Sequence, residues 1–219
     1  MSKQIKTWCL PSVQEWTLKP DHAAAIVTEI ASQLSLHPLI LIVGAGYSAL
    51  PKMIFDAGLT NLVVSDIDQN AVAFQKARFN SLLVKIVCDD ILNTSLSCDK
   101  YAVIIDASLT DVFIRAKSNA RKVLTIYETL LAPNGVIITF SIFLKPWKRL
   151  TSAKWTSCYS VVEQFVGSKT RTNIKGRLRS IGIFLHQRPF EYRLFTCSIK
   201  MQLLKNTNIR DMPLGAEDM

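Results

Sequence analysis

Apolar residues alternate along this chain between two rhythms. Residues 21–36, "DHAAAIVTEIASQLSL", place Ala25, Ile26, Ile30, Leu34 and Leu36 near helical spacing, with Asp21 after Pro20 as an N-cap. His37-Pro38 stops that helix, and Leu39 to Val43 follow as an unbroken aliphatic run, the pattern of a strand buried on both faces. A glycine turn then leads into an amphipathic run ending near Gly58. The alternation continues with strand at 61–66 ("NLVVSD"), helix at 69–79, strand at 83–88 ("LVKIVC") and strand at 101–106 ("YAVIID"). One helix at 113–131, the turn "APNG" and a strand at 136–141 complete the regular part. Strands alternating with helices predict an α/β fold, a mostly parallel sheet with helices on both faces.

Beyond Ser141 the pattern loosens. Two segments, 155–165 ("WTSCYSVVEQF") and 191–201 ("EYRLFTCSIKM"), read as long strands that would form an antiparallel C-terminal hairpin at the sheet edge. Between them a basic stretch near 167–190 reads as an insertion or mobile loop, and 204–219 as a flexible tail. The domain is therefore expected to span 21–203, after an N-terminal segment of 1–20.

Composition narrows the class. A chain of 219 residues with 49% hydrophobic and 20% charged residues suits one domain with a sizeable core. Its longest apolar run is far short of the roughly 20 residues that cross a bilayer as helix, so a soluble chain without a membrane partner is expected. Five cysteines, Cys9, Cys88, Cys98, Cys158 and Cys197, are odd in number and scattered without a CxxC pair. That usage suggests neither a disulfide framework nor zinc, and it suits a reducing, cytoplasmic setting. No targeting signal is read in "MSKQIKTW", although the mitochondrion is left open. His22, His37 and His186 share no metal-binding pattern, and no metal site is expected. The net charge of +9 lies unevenly: residues 141–210 hold fourteen Lys or Arg against Glu163 and Glu191 alone. Such a surface attracts nucleic acid or an acidic protein, or simply stays wet.

The candidate chemistry gathers at strand ends. Gly44 and Gly46 follow the first strand and open a helix, where glycine lets backbone approach a ligand closely. Position 49 is Ala49, so the turn reads GxGxSAL rather than GxGxxG, and it does not by itself choose the nucleotide. Asp66, 20 residues beyond Gly46, ends the second strand with the spacing of a carboxylate that accepts ribose hydroxyls. Asp89 and Asp90 end the third strand and Asp106 the next. Acids at successive strand ends would line one crevice, though each alone would also serve as a helix cap.

This series resembles the class I S-adenosylmethionine-dependent methyltransferases over roughly residues 12 to 145 plus the final hairpin. More narrowly, "GAGYSAL", "SDIDQNAV" and "DASLTDVFI" look like the motifs of eukaryotic lysine methyltransferases of translation elongation factor 1-alpha, the methyltransferase-like 13 group included. The resemblance implies a seven-stranded Rossmann-like methyltransferase sheet and S-adenosyl-L-methionine as cofactor. It implies that Gly44 and Gly46 cradle the methionine end, Asp66 binds the ribose, Ile67 packs on adenine, and Asp89 with Asp90 meet the adenine edge. Asp106 would complete the cofactor site, Trp16 in "QEWTLKP" would cover it, and Asp111, the catalytic-side acid that ends the motif, or Asp106 would steer an incoming lysine. "SIFLKPWKR" falls where the family has a loop near the substrate.

The function so implied is protein-lysine N-methyltransferase, with a protein substrate resembling an elongation factor. Where that group reads Asp or Glu followed by Lys-Gly-Thr, this chain reads Asp106-Ala107-Ser108-Leu109. The missing lysine keeps a non-catalytic methyltransferase-like protein as an alternative. The basic final third keeps an RNA methyltransferase or RNA-binding module as another. A nicotinamide dehydrogenase is disfavoured by the absent third glycine and by the Asp89-Asp90 pair. No Asn-Pro-Pro-aromatic or Asp-Pro-Pro-aromatic tetrapeptide follows the fourth strand, which disfavours adenine and glutamine amides as acceptors.

Overall fold

The aliphatic runs become five parallel strands: β1 (Ile40–Val43), β2 (Leu62–Asp66), β3 (Lys85–Cys88), β4 (Tyr101–Asp106) and β5 (Leu131–Ser141). They belong to a computed structural model that describes residues 20–34, 37–80, 83–98 and 100–141, together with the backbone of 155–164 and 178–187. Five helices accompany them: α1 (Pro20–Ser32), α2 (Leu50–Asp56), α3 (Gln69–Phe79), α4 (Leu109–Arg115) and α5 (Ala120–Leu130).

Two further segments, β6 (Trp155–Gln164) and β7 (Leu178–Gln187), extend the sheet antiparallel beyond β5, giving the order β3-β2-β1-β4-β5-β7-β6. β6 thus pairs with β7, and 191–201 lies outside the described residues. β7 is part of the basic stretch read as an insertion or loop. Ile181, Ile183 and Leu185 carry the period of two there, under a heavy load of flanking Lys and Arg. The N-terminal residues before Pro20 and the tail at 204–219 also lie outside the described residues.

Strand alternation divides the core into two layers. Ile40, Ile42, Val64, Val103, Ile105, Val136, Ile138 and Phe140 face α1, α2 and Phe79 of α3. Leu41, Val43, Val63, Ile104 and Ile137 face Val123, Leu124, Tyr127 and Leu130 of α5. Each fully buried aliphatic side chain contributes about 1.5–3 kcal/mol, so a one-residue slip in any central strand would reverse both layers at once.

Local chemistry sets the helix ends. Asp68 caps α3 by accepting the Asn70 N–H at 2.9 Å, and Asn80 closes it in the left-handed region. Asp21 is not the N-cap of α1. Pro20, pre-set in φ, already opens the helix, which leaves Asp21 in the first turn. The single helix expected at 113–131 is two, because Lys117 (φ +52) and Asn119 (φ +35) turn the chain left-handed between α4 and α5.

The strand order places β1 and β4 side by side, with β2 and β3 to one side and β5 to the other. Crossovers therefore leave in opposite directions from the carboxyl ends of β1 and β4, which opens a crevice there.

Candidate nucleotide site at the switch point

The turn after β1 is left-handed at both glycines, Gly44 with φ +63 and Gly46 with φ +51. A Cβ on Gly44 would stand 2.9 Å from Leu109 Cβ, so this glycine is required by packing against the start of α4. A Cβ on Gly46 would meet nothing within 4 Å among the described residues. One glycine serves the fold, and the other faces open space.

Asp66 ties this turn to β2. Its Oδ2 accepts the Gly46 N–H at 2.7 Å and its Oδ1 accepts the Asp68 N–H at 2.9 Å. Burial pushes its carboxyl above the ordinary value, against the pull of the N–H groups of Asp68 and Gly46. Each oxygen keeps a further acceptor direction, as a carboxylate receiving two ribose hydroxyls requires. Beside it Ile67 is 56% exposed, an apolar surface at the rim where a planar base could pack.

The neighbouring acids have more local work. Asp89 is joined to β2 through its N–H, which donates to Asp66 O at 2.9 Å. Its carboxylate accepts from Thr94 Oγ1 at 2.6 Å, from the Ser95 N–H at 3.0 Å and from Ser95 Oγ at 3.2 Å. Asp90 caps the single 3-10 turn Ile91–Asn93, accepting the Leu92 N–H at 3.0 Å and Asn93 Nδ2 at 2.9 Å. The pair stands at the end of β3; Asp90 caps the turn that follows, and Asp89 ties down the loop at Thr94 and Ser95.

Asp106, at the end of β4, is fully buried and accepts the N–H groups of Leu109 (2.7 Å) and Thr110 (3.3 Å) at the start of α4. Burial raises its pKa to about 7; the Thr110 hydroxyl and these N–H groups pull it down, and the nearby Asp111 charge adds to the rise. Asp111 is 5% exposed and accepts from Ser141 Oγ at 2.5 Å, fastening α4 to the end of β5. The hydroxyls of Thr110, Thr139 and Tyr127 are buried close by without a hydrogen-bond partner of standard geometry among the described residues. The Tyr127 phenol is held well above its ordinary value, by burial first and by the Asp106 charge second.

Gly44, Gly46, Asp66, Ile67, Asp89, Asp90 and Asp106 thus all stand at the carboxyl ends of β1 to β4. Trp16 and the loop after Ser141 lie outside the described residues. Sequence reasoning missed Gln75 and Arg78, whose side chains reach from α3 to the glycine turn. A signal existed for Gln75: it is a polar residue on the buried stripe of Ala71, Val72 and Phe79. Among the described residues no three His, Cys, Asp or Glu side chains gather to hold a metal ion, and no helix is long and apolar enough to cross a membrane.

A parallel sheet with helices on both faces and a glycine turn with a strand-end acid at its switch point define a Rossmann-like fold of the methyltransferase kind. No family model matches the chain, and no curated protein does. Among solved structures it is similar to the N-methyltransferase NodS from Bradyrhizobium japonicum WM9, in complex with S-adenosyl-L-homocysteine, with TM-score 0.57 and 15% identity over 77% of this chain and 86% of that one. It is also similar to a candidate RNA methyltransferase, PH1948 from Pyrococcus horikoshii, with TM-score 0.57 and 12% identity over 83% of this chain and 89% of that one. The CurJ carbon methyltransferase gives TM-score 0.52 and 14% identity over 81% and 57% of the two chains. At these identities the likeness establishes the fold.

Proposed function

We propose that this chain is an S-adenosylmethionine-dependent methyltransferase whose acceptor is a lysine side chain of a protein resembling an elongation factor. The observation that carries the reading is the left-handed glycine turn bonded to Asp66 at the switch point, with open space at Gly46. NodS, with the same fold, holds S-adenosyl-L-homocysteine. The antiparallel pair β6 and β7 is read as the closing hairpin of a seven-stranded methyltransferase sheet. The lysine acceptor rests on the GxGxSAL and Asp106-to-Ile114 motifs alone.

The bound cofactor supplies an electrophilic methyl group on a sulfonium. Gly46 would keep the backbone clear for it, Asp66 would accept from the ribose, and Ile67 would pack on the base. Asp89 and Asp90 would shape the base edge, Asp90 through the turn it caps and Asp89 through its bonds to Thr94 and Ser95. Methyl transfer is an in-line displacement, so the protein's main task is alignment and exclusion of water. The acceptor must arrive as a neutral amine, and burial beside a cation lowers a lysine pKa from about 10.4 without a dedicated base. Asp111, buried against Ser141, acts on this step by placing α4.

Calorimetric titration with S-adenosylmethionine and S-adenosylhomocysteine, NADH as control, tests the reading on the full chain and on Asp66→Ala. Binding of the sulfur nucleotides that is lost in the variant supports it; binding of NADH alone would overturn it. An RNA acceptor is the second reading, favoured by the fourteen Lys or Arg among residues 141–210. RNA binding that falls steeply with salt, and methyl incorporation into RNA rather than protein, would decide for it.

A further inference from the structure

We infer that Gln75 and Arg78 of α3 are positioning residues that select one conformation of the glycine turn for a ligand's 5′ substituent; this rests on the cofactor reading above. Three successive carbonyls of the turn accept hydrogen bonds from side chains of α3. Gln75 Nε2 donates to Gly46 O at 2.8 Å and to Ser48 O at 3.0 Å. Arg78 donates to Ser48 O through Nη1 and to Tyr47 O at 3.4 Å through Nη2. The guanidinium is itself held 4.6 Å over the Phe74 ring, and Phe74 meets Tyr47 edge-on at 5.1 Å.

A turn with two glycines is permissive by nature, since glycine populates positive and negative φ about equally. Left alone, the peptides of Gly46 and Tyr47 could rotate and exchange N–H for carbonyl at the ligand face. Asp66 fixes one N–H of this turn, and α3 fixes the carbonyls that follow. Together they leave a single arrangement.

Gln75 also bears a cost that packing does not explain. It is 1% exposed on an otherwise apolar helix face, and its Oε1 has no hydrogen-bond partner among the described residues. A buried amide left half unsatisfied is disfavoured compared with an apolar residue at the same place. Its retained half is spent on the turn alone, which points to the turn as its purpose.

The strand-end acid meets the ribose and the glycine turn meets what extends from the ribose 5′ carbon. Loosening the turn should therefore weaken S-adenosylhomocysteine and spare adenosine, which has only a hydroxyl there. In calorimetry on the full chain, Gln75→Met, close in volume but without donors, is expected to weaken S-adenosylhomocysteine about tenfold, the effect of losing paired polar contacts. Adenosine is expected to bind as to the wild type. Arg78→Met should act in the same direction, and Arg78→Lys should recover part of the loss. Equal weakening of both ligands, or no weakening of either, would overturn the inference.

A wild-type chain that binds neither ligand would sink the cofactor reading instead. Hydrogen exchange then judges the clamp on its own. Amides of residues 45–48 that exchange faster in Gln75→Met while those of β1 do not would support it, and unchanged exchange would overturn it.

Discussion

Adding one methyl group at Gly44 or at Gly46 should separate folding from binding within a single turn. Both glycines are left-handed, and an alanine there bears roughly 1–2 kcal/mol of backbone strain, partly offset by the lower entropy of its unfolded chain. At Gly44 the new Cβ also falls 2.9 Å from Leu109 Cβ and 3.2 Å from both of its Cδ atoms. Leu109 Cβ lies against the backbone that opens α4, so relief requires moving that helix, an overpacking cost of about 1–3 kcal/mol. At Gly46 the added methyl meets no atom of the described residues within 4 Å. Gly44→Ala is thus expected to lose about 2–4 kcal/mol and Gly46→Ala about 1 kcal/mol, or very roughly 4–16 °C against 2–4 °C in thermal midpoint for a domain of this size. The affinities should not follow that order. Gly46→Ala, nearly as stable as the wild type, is expected to bind S-adenosylhomocysteine more than tenfold more weakly, because the space its methyl fills is the ligand's. Calorimetric unfolding and ligand titration on the two variants give both numbers. Equal destabilisation would refute the packing argument, and unchanged affinity in Gly46→Ala would show that the open space is not where the ligand lies.

Other substitutions probe the ends of the strands and helices. Asp106 has a folded pKa of about 7 against an ordinary 3.8, so the folded chain keeps a proton that the unfolded chain has lost between those values. Stability should therefore fall as pH rises from about 4 to about 7, by at most about 1.4 kcal/mol per pH unit, and urea midpoints of the wild type and Asp106→Asn should diverge over that window. Parallel profiles would contradict it. Ser108 sits at φ +81, where a glycine would be unstrained, but its Oγ donates to Phe140 O at 3.3 Å. Relief of about 1–2 kcal/mol, against a bond of about 0.5–1.5 kcal/mol and about 0.4–1 kcal/mol of added unfolded-chain entropy, predicts a Ser108→Gly protein within about 1.5 kcal/mol of the wild type in urea unfolding. Asp68→Ala removes the cap of α3 and should cost about 0.5–2 kcal/mol in the same assay.

The parallel part of the sheet was legible because its strands are aliphatic runs with few other ways to fold. The residues of α3, 69–79, coincide with the reading, since Asp68 and Asn80 mark its ends chemically. The break between α4 and α5 was hidden: helical spacing of apolar residues runs on through Lys117 to Asn119, and tertiary packing sets the left-handed φ values. β7 was hidden by charge, its alternate Ile181, Ile183 and Leu185 lying between arginines. At the site, glycines and strand-end acids were legible from spacing, because backbone geometry restricts which residues can stand there. What each acid bonds was not: Asp89 and Asp90 turn to hydroxyls and N–H groups a few residues ahead, and spacing carries no side-chain direction. Gln75 left one trace, a polar residue on a buried stripe, but its partners and those of Arg78 are carbonyls, which no residue type reveals.

Between Tyr101 and Val103 of β4 the facing strand advances from Leu131 to Val136, five steps against two. The surplus residues fold aside around Asn134 at φ +62, and Gly135 passes where an added Cβ would be 2.8 Å from Leu131 Cδ1 and 3.0 Å from the carbonyl of Ala102. The strand is in effect anchored twice, and chain length between the anchors is decoupled from side-chain parity beyond them. An insertion at residues 132–134 would be absorbed as slack. One residue added after Val136 would exchange the inner and outer layers of Ile137, Ile138 and Phe140, and with them the seat of Ser141 beneath Asp111.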